Sequence, residues 1–457
     1  MLSRRDFARQ ALLLSGSVML GCARHIPPSP PIPPPIYANL PDPVSSGIDH
    51  VVVVTMENRS FDHLLGWLPN AEGKQAGLSF NDKNGQSHPT YSLSGDFAGC
   101  PHNDPDHSYN GSRVAYDGGK MDGFLRAGSN DLYSIAYYGE KDVPFYAALA
   151  RNYTTCDHYF AAILGPTFAN RMFLFAAQTD RTTDSIDISS LPTIFDRLAA
   201  AHVTHNYYYS NVPYLALWAF RYVGISKLHE DFLEQAKKGT LPSVSFVDPR
   251  YTILDDGTGN DDHPHADIRE GDRFLYDMFQ AVVNGPAWSR TVLVIIFDEW
   301  GGFFEHVPPP RAQAANAVDT DMVGGKTLLG FRVPVVITSP LSRGDARNPR
   351  ISPLIYDHTS VLKLIEWRWG LAPLTPRDGS SDINNLAYAL NFNQPQTSVP
   401  SLPKPETPSI ATPCFQNLVE PLTAAEATSG AGPSSSMKTA KWKHMQSQAG
   451  KYGFKMK

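Results

Sequence analysis

Two apolar segments, each followed at once by a pair of polar side chains, constrain this chain more than any other feature. The first spans residues 48–56 (IDHVVVVTM) and the second spans residues 291–297 (TVLVIIF). Runs this rich in β-branched residues are typical of strands buried on both faces of a parallel sheet. The pairs that follow them are Glu57-Asn58 and Asp298-Glu299. Because ligands bind beyond the carboxyl ends of the strands in open α/β sheets, the two pairs are predicted to form one site.

The rest of the chain alternates between strand-like and helix-like patterns. Further strands are predicted at residues 206–209, 244–247 and 333–338. Helices are predicted at residues 143–151, 191–201, 270–283 and 360–369. Such alternation predicts an α/β fold, a three-layer sandwich with a mostly parallel central sheet. We assign residues 46–395 to this α/β domain.

The formal net charge of −6 hides an asymmetry along the chain. Residues 427–457 carry six lysines and no acid, and residues 1–25 carry four arginines against one aspartate. The stretch between them holds 29 basic and 44 acidic residues, a net charge of −15. An acidic body argues against nucleic acid as a partner. It fits a carboxylate site that holds a metal, although a solvated acidic surface accounts for most of the charge.

The N-terminus has the composition of an export signal. Arg4 and Arg5 precede an apolar segment at residues 11–21, which is too short to span a bilayer. The paired arginines resemble a twin-arginine signal, so we expect residues 1–25 to direct export to the periplasm, the cell envelope or the medium. Cys22 also fits a lipoprotein processing site, and an ordinary cleaved signal is the alternative. Residues 26–45 are predicted to form a proline-rich linker.

Three cysteines remain after Cys22, at positions 100, 156 and 414. In an exported chain they allow at most one disulfide and leave one free thiol. Residues 396–457 are predicted to form a C-terminal extension, of which residues 427–457 are a disordered basic tail. Contact of this tail with anionic lipid is a weaker alternative to a solvated tail.

The two polar pairs predict a metal site. Adjacent carboxylates at a buried sheet edge repel each other unless a cation neutralises them. Oxygen ligands in this number suit a hard divalent ion. The alternative is that each pair caps a following helix.

Thr167 is a candidate nucleophile. It follows Gly165-Pro166 at a predicted helix start, where backbone N–H groups collect around an anion. A threonine hydroxyl is a poor nucleophile and needs a metal or a base to activate it. On spacing alone, a plain helix cap explains Thr167 better.

Several of the 15 histidines lie in polar loops beside acidic residues. A single histidine is more often structural than catalytic, but clusters beside acids favour a functional role. The candidates are His107, His263, His265, His306 and His358.

Six segments of the chain resemble motifs of one family of phosphoesterases. That family contains bacterial phospholipases C, plant non-specific phospholipases C and a bacterial acid phosphatase, and it belongs to the alkaline phosphatase superfamily. The segments occur in the same order as in the family and lie at residues 57–68, 165–173, 260–274, 297–310, 330–344 and 356–371. The resemblance covers roughly residues 46–390, implies an alkaline phosphatase-like fold and makes residues 46–395 the catalytic phosphoesterase domain.

The resemblance also implies roles for individual residues. Glu57 and Asn58 match one pair of metal ligands, and Asp298 and Glu299 match the other. Thr167 matches the nucleophile, which also contacts the divalent metal. The histidines that match those around the phosphoryl group are His107, His263 and His306, whereas His265 and His358 match less closely. We expect His306 or His107 to protonate the leaving group.

Three functions are compared on this basis. The leading hypothesis is a secreted phospholipase C that hydrolyses phospholipids such as phosphatidylcholine to diacylglycerol and a phosphorylated headgroup, through a phospho-threonine intermediate. The second is an acid phosphatase on the same scaffold, and the third is a surface lipoprotein that only binds. A threonine at position 167 favours the first. The expected partner is a phospholipid or another phosphate ester. Peripheral or lipid-anchored association with a membrane is possible on this basis. The sequence does not give the oligomeric state.

Overall fold

A central sheet organises the computed structural model, which describes residues 37–254, 259–408, 414 and 435–456. The signal at residues 1–25 and most of the linker therefore lie outside the described residues. The strands are β1 His50–Met56, β2 Ser79–Asn81, β3 Ser87–Pro89, β4 Tyr91–Ser92, β5 Ala136–Tyr137, β6 Thr154–Cys156, β7 His205–Tyr209, β8 Ser226–Leu228, β9 Val244–Val247, β10 Thr291–Phe297, β11 Arg311–Gln313, β12 Met322–Val323, β13 Lys326–Leu328, β14 Val335–Thr338 and β15 Arg350–Ser352.

Helices connect most of the strands of this sheet. They are α1 Phe61–Leu65, α2 Tyr109–Tyr116, α3 Pro144–Asn152, α4 Thr167–Ala176, α5 Ile194–Ala200, α6 His229–Lys238, α7 Ile268–Val283, α8 His358–Trp369, α9 Pro376–Gly379 and α10 Ser435–Tyr452. Short 3₁₀ segments add to them, of which Tyr214–Ile225 and Thr252–Leu254 lie near the functional site.

The central sheet has eight strands in the order β15-β6-β14-β10-β1-β9-β7-β8. All neighbouring pairs are parallel except those that involve β14, which is antiparallel to both β6 and β10. Helices α3, α6 and α7 pack together, and α4, α5, α8 and α9 form a second group. The predicted α/β fold with a mostly parallel sheet is therefore confirmed.

Burial explains why the apolar segments form the centre of this sheet. All seven residues of β10, and all but His50 of β1, are buried. β-branched side chains pack well on a pleated surface that is covered on both faces. The predicted strands and helices all occur, with ends that differ by at most three residues.

The cysteines behave as their number predicts. Cys100 and Cys414 form a disulfide that joins residues 314 positions apart, and Cys156 is a buried free thiol. In the described ranges we find no helix that is both long and apolar enough to cross a membrane.

The prediction of a disordered basic tail is wrong for residues 435–452. They form helix α10, which buries Trp442, Met445 and Ala449 against the 3₁₀ segments Tyr214–Ile225 and Thr252–Leu254. These three residues recur at helical spacing, so they line one face of α10 while Lys443 and Lys451 remain exposed. A lysine-rich composition hid an apolar stripe that only tertiary packing stabilises.

Candidate active site

The strand register brings the two polar pairs together. Met56 of β1 lies opposite Phe297 of β10, so the residues that follow both strands leave the sheet side by side. The backbone N–H of Asn58 donates to Asp298 Oδ1 at 3.2 Å, and that of Arg59 donates to the carbonyl oxygen of Glu299 at 3.0 Å. Glu57, Asn58, Asp298 and Glu299 thus form one buried cluster at the carboxyl edge of the sheet.

Neither pair caps a helix. After β1, helix α1 begins at Phe61 and is capped by the side chain of Ser60. After β10, the chain turns through Gly301 and Gly302, both with positive φ. A Cβ atom at Gly301 would lie 2.0 Å from the carbonyl oxygen of Asn58, so only glycine permits the two strand ends to approach this closely.

Arg171 joins three buried carboxylates at this edge. Its guanidinium contacts Glu57 Oε1 at 2.7 Å, Asp248 Oδ1 at 2.6 Å and Asp298 Oδ2 at 3.1 Å. Asp248 directly follows β9, the other parallel neighbour of β1. Three adjacent strands therefore each deliver an acid to one arginine on α4.

Two oxygen atoms of the cluster have no hydrogen-bond partner although both are buried. They are Oδ1 of Asn58 and Oε1 of Glu299. His107 Nε2 lies close to both side chains, 3.3 Å from Asn58 Nδ2 and 3.9 Å from Glu299 Oε1. Buried acceptors without a donor are costly, and a hard cation is the partner that such oxygens fit. The residues of this edge therefore fit a divalent ion.

A second group of ligand atoms adjoins the first through His107. Side-chain atoms of Asp104, His107 and His263 lie within 4.8 Å of one another. His107 Nδ1 lies 2.7 Å from the carbonyl oxygen of Pro105, and His263 Nδ1 lies 2.9 Å from that of Pro264. A ring that donates from Nδ1 keeps the lone pair of Nε2 for a metal or a proton.

The other predicted ligands are engaged by protein groups. Asp298 Oδ1 accepts from the backbone N–H groups of Asn58 and Glu299, and its Oδ2 accepts from Arg171. Glu57 lies on the wall of the pocket but is paired with Arg171. Asn58 and Glu299 are therefore the stronger candidates for direct ligands, whereas Asp298 orients the residues around it.

The electrostatics of the cluster favour a cation. Burial raises the pKa of Glu57 and of Glu299 well above the ordinary range, and the charge of Asp298 raises both further. Burial also raises the pKa of Asp298, although Arg171 opposes this shift. One arginine does not neutralise the cluster, so its ionised form requires additional positive charge.

Thr167 lies where the sequence predicts it. It is the first residue of α4, after Pro166, and the next backbone N–H, that of Phe168, donates to Asp184 Oδ1 at 3.0 Å. A pocket opens beside it, lined by Glu57, His107, Thr167, Phe168, Asp184, Tyr251, Ile253, Asp261, His263, Lys441 and Trp442. The predicted nucleophile, one predicted ligand and two predicted histidines therefore share one pocket.

His306 requires a correction. It does not line this pocket; its Nδ1 lies 2.5 Å from Asp62 Oδ2, and its backbone N–H donates to the same oxygen at 2.8 Å. Arg332 binds Asp62 and Glu305 in the same buried cluster. The chain turns at Gly301-Gly302 after β10. His306 therefore lies outside the pocket although it follows the strand end closely in sequence.

The remaining two histidines are held by backbone groups. His358 Nε2 lies 2.6 Å from the carbonyl oxygen of Asp298, and burial lowers its pKa to about 4. His265 Nε2 lies 2.9 Å from the carbonyl oxygen of His102, and burial lowers its pKa as well. These contacts are typical of positioning residues.

Among the site residues that sequence reasoning missed are three charged ones close to the strand ends: Asp104, Arg171 and Asp248. The rule that identified the two polar pairs also applies to Asp248, since it follows a predicted strand. Asp104 precedes His107 in the same loop. Arg171 is four residues after Thr167 on a helix, and no local signal indicates that it reaches three strand ends.

A hydroxyl at a helix start, histidines and oxygen ligands for a cation lie together at the carboxyl edge of a mostly parallel sheet, which is the arrangement of a hydrolytic enzyme with an α/β fold. The profile of the phosphoesterase family matches residues 48–372. The chain belongs to this phosphoesterase family, and it is an enzyme that hydrolyses ester bonds.

Relatives in plants and mycobacteria are phospholipases C. The chain is 32% identical over 374 residues to the non-specific phospholipase C6 of Arabidopsis thaliana, covering 73% of this chain and 70% of that protein. It is 29% identical over 429 residues to phospholipase C A of Mycobacterium tuberculosis, covering 78% of this chain and 80% of that protein.

Two solved structures that the chain matches are more distant in sequence, and their TM-scores lie below 0.5. A protein of the alkaline phosphatase superfamily from Vibrio parahaemolyticus is 12% identical, with 73% of this chain and 69% of that chain covered and a TM-score of 0.35. The lipoteichoic acid synthase LtaP from Listeria monocytogenes is 10% identical, with 77% and 79% covered and a TM-score of 0.41.

Proposed function

We propose that the protein is an exported, metal-dependent phospholipase C that cleaves the phosphodiester of phospholipids such as phosphatidylcholine. The observation that carries the proposal is the pocket that Thr167 shares with Glu57, His107 and His263. The unpartnered oxygens of Asn58 and Glu299 supply the place for a cation beside it. The substrate class, phospholipids, is inferred from the relatives, which are named phospholipases C.

The residues in and beside the pocket have distinct roles in the proposed reaction. Asn58 and Glu299 would hold the divalent ion, together with Glu57 and with His107 or Asp104. When bound, this ion supplies Lewis-acid activation of the Thr167 hydroxyl and neutralises charge on the phosphoryl oxygens. The positive end of the α4 dipole would favour the negative charge of a phosphoryl group bound at Thr167, although the Phe168 N–H of this turn donates to Asp184 Oδ1.

A histidine that lines the pocket and a carboxylate of the site transfer the protons in this reaction. Thr167 Oγ1 forms a bond to phosphorus, its proton passes to a carboxylate of the site, and the bond to the leaving oxygen breaks. His263 gives its proton to the departing alkoxide, which is diacylglycerol for a phospholipid. His263 next takes a proton from water, which attacks the phospho-threonine and releases the phosphorylated headgroup. The carboxylate returns its proton to Thr167.

An acid phosphatase on the same scaffold is the second candidate function. The observation that favours it is the small size of the pocket, whose cavity volume is about 20 Å³. A phosphomonoester places fewer atoms beyond phosphorus than a phospholipid does. The two functions share every residue named above, so only the products distinguish them.

Product analysis on the purified mature protein tests the proposal. Phosphatidylcholine and p-nitrophenyl phosphate are supplied separately in a series of divalent metals, and the variants are Thr167→Ala and, as a control, Thr183→Ala at an exposed site. Diacylglycerol and phosphocholine that Thr167→Ala loses and Thr183→Ala retains would establish a phospholipase C. Inorganic phosphate from the monoester alone would establish the phosphatase, and full activity of Thr167→Ala would refute the assignment of the nucleophile.

Export by the twin-arginine route is part of the same proposal. Its support is the Arg4-Arg5 pair and the Cys100–Cys414 disulfide, since disulfides form in oxidising compartments. Replacing both arginines by lysine should retain the protein in the cytoplasm on cell fractionation. Radiolabelled fatty acid should label the wild type but not Cys22→Ala if Cys22 is lipidated. An unlabelled, released protein would identify an ordinary cleaved signal.

A further inference from the structure

The C-terminal helix forms one wall of the catalytic pocket. Lys441 and Trp442 of α10 are among the residues that line it, beside Thr167 and His263. The Trp442 ring is 7% exposed and lies between aromatic rings, with centroid distances of 5.3 Å to Phe168 and 4.8 Å to Tyr251. The indole therefore packs against the residue that directly follows Thr167, and both Thr167 and Trp442 line the pocket.

Hydrogen bonds hold α10 and the residues after it against the rest of the fold. Gln446 Nε2 donates to the carbonyl oxygen of Asn211 at 3.3 Å, and the Asn211 side chain in turn pairs with the backbone of Tyr251. Beyond the helix, the hydroxyl of Tyr209 donates to the carbonyl oxygen of Lys455 at 2.6 Å. The wall is therefore anchored at two points on the C-terminal side of Trp442.

Charge and volume give the two residues different roles. Among the described residues that line the pocket, Lys441 is the only lysine or arginine, against the acids Glu57, Asp184 and Asp261. Its Nζ lies 3.5 Å from the carbonyl oxygen of Asp184. The cavity of about 20 Å³ has room for little more than one water molecule. An ester group that enters the pocket therefore comes against its wall, of which Trp442 forms part.

We propose that Lys441 and Trp442 determine which esters reach Thr167, Trp442 by limiting the size of the group esterified to phosphorus and Lys441 by attracting the anionic phosphoryl group. This inference rests on the proposed function, because it assigns the substrate range of that same pocket. It places specificity on a segment of the chain that lies outside the matched family region, residues 48–372.

Kinetics with two substrates test the role of Trp442. The ratio of kcat/KM for phosphatidylcholine in neutral mixed micelles to kcat/KM for p-nitrophenyl phosphate should rise about tenfold in Trp442→Ala and less in Trp442→Phe. Met445→Ala is the matched control, since Met445 is buried on the same face of α10 but does not line the pocket. An equal change in both alanine variants would mean that undocking of the helix, not the indole, causes it and would overturn the assignment.

Lys441 is tested by a second matched pair. Lys441→Gln should raise KM for p-nitrophenyl phosphate about fivefold with little change in kcat. Lys443→Gln, two residues away and exposed, should leave KM unchanged. Identical kinetics of the wild type and Lys441→Gln would remove Lys441 from the proposal. A wild type without any activity that depends on Thr167 would instead refute the proposed function, which separates the two failures.

Discussion

At the scale of single residues, Arg171 holds the buried charges of the site together. It is fully buried, as are the carboxylates of Glu57, Asp248 and Asp298 that surround it. The rings of Tyr214 and Tyr251 each have their centroid 5.7 Å from its guanidinium carbon. The same two rings contact Trp442, so the pocket wall and the charge cluster share their supports.

Replacing Arg171 should therefore be strongly destabilising. Arg171→Met leaves three buried carboxylates without their counter-ion, and we expect the free energy of unfolding to fall by about 3–5 kcal/mol. Urea unfolding of the metal-free protein measures this change. Arg273→Met is the control, because the partly exposed pair of Arg273 with Asp277 should contribute at most about 1 kcal/mol. Equal effects of the two substitutions would contradict the central role of Arg171.

His306 makes a prediction about pH. Burial disfavours its charged form, but the hydrogen bond that its ring donates to Asp62 and the charges of Asp62 and Glu305 outweigh this and raise its pKa above 6.5, with Arg332 opposing them. A raised folded-state pKa gives stability that is present below pH 6.5 and is lost as pH rises through the folded value. The stability difference between the wild type and His306→Gln should therefore shrink as pH rises.

Thermal or urea unfolding of both proteins between about pH 6 and pH 9 checks this expectation. Burial also raises the pKa of Glu305 to about 7, and Glu305 interacts with His306 at 3.6 Å, so both proteins are compared in a Glu305→Gln background that removes this second titration. His444→Gln, at an exposed position of α10, should show a difference that does not vary in this way. A gap that widened with pH would mean that His306 is not charged in the folded state.

At the scale of the elements, the strand ends and the start of α4 create the site. β1, β9 and β10 run parallel and end at one edge, so their next residues meet whatever the connections between them. The sequence reveals this edge because a buried strand and the position of its end can both be recognised from the local pattern of apolar residues. It does not reveal which helix residue reaches the edge, since that depends on how α4 packs on the sheet.

Helix α10 was missed for a related reason. Its apolar stripe consists of three residues among many lysines and serines, which a composition argument interprets as solvated chain. The aromatic partners of Trp442 lie more than 180 residues earlier in the sequence, so only tertiary packing brings them together. Local pattern thus predicted the sheet and four of the eleven residues that line the pocket, and the remainder required the packed structure.

The strand ends also predict how the protein responds to metal. A divalent ion held by Asn58 and Glu299 binds only the folded state, so adding it to chelator-treated protein should raise Tm. Glu299→Gln should weaken this rise, because it replaces an ionised ligand by a neutral amide. Differential scanning calorimetry with Mg²⁺, Ca²⁺, Mn²⁺ and Zn²⁺ in turn measures the shift. Glu234→Gln, on the exposed side of α6, is the control and should respond like the wild type.

At the scale of the whole molecule, one covalent bond connects the C-terminal extension with the histidine loops. Cys100 lies in the loop that leads to Asp104 and His107, and Cys414 Sγ lies 3.5 Å from the carbonyl oxygen of His265. The bond therefore fixes the chain upstream of α10 against the loops that supply the histidines. It constrains the unfolded chain as well, since it closes a loop of 314 residues.

Breaking this bond should destabilise the protein and loosen α10 together. Cys414→Ser should lower the free energy of unfolding by about 2–5 kcal/mol. Because α10 forms the wall beside Thr167, we also expect faster hydrogen exchange of its backbone amides in the variant. Dithiothreitol supplies the control, since it should bring the wild type to the level of the variant and leave the variant unchanged. If the reduced wild type kept both its stability and the slow exchange of α10, packing alone would hold the pocket wall in place.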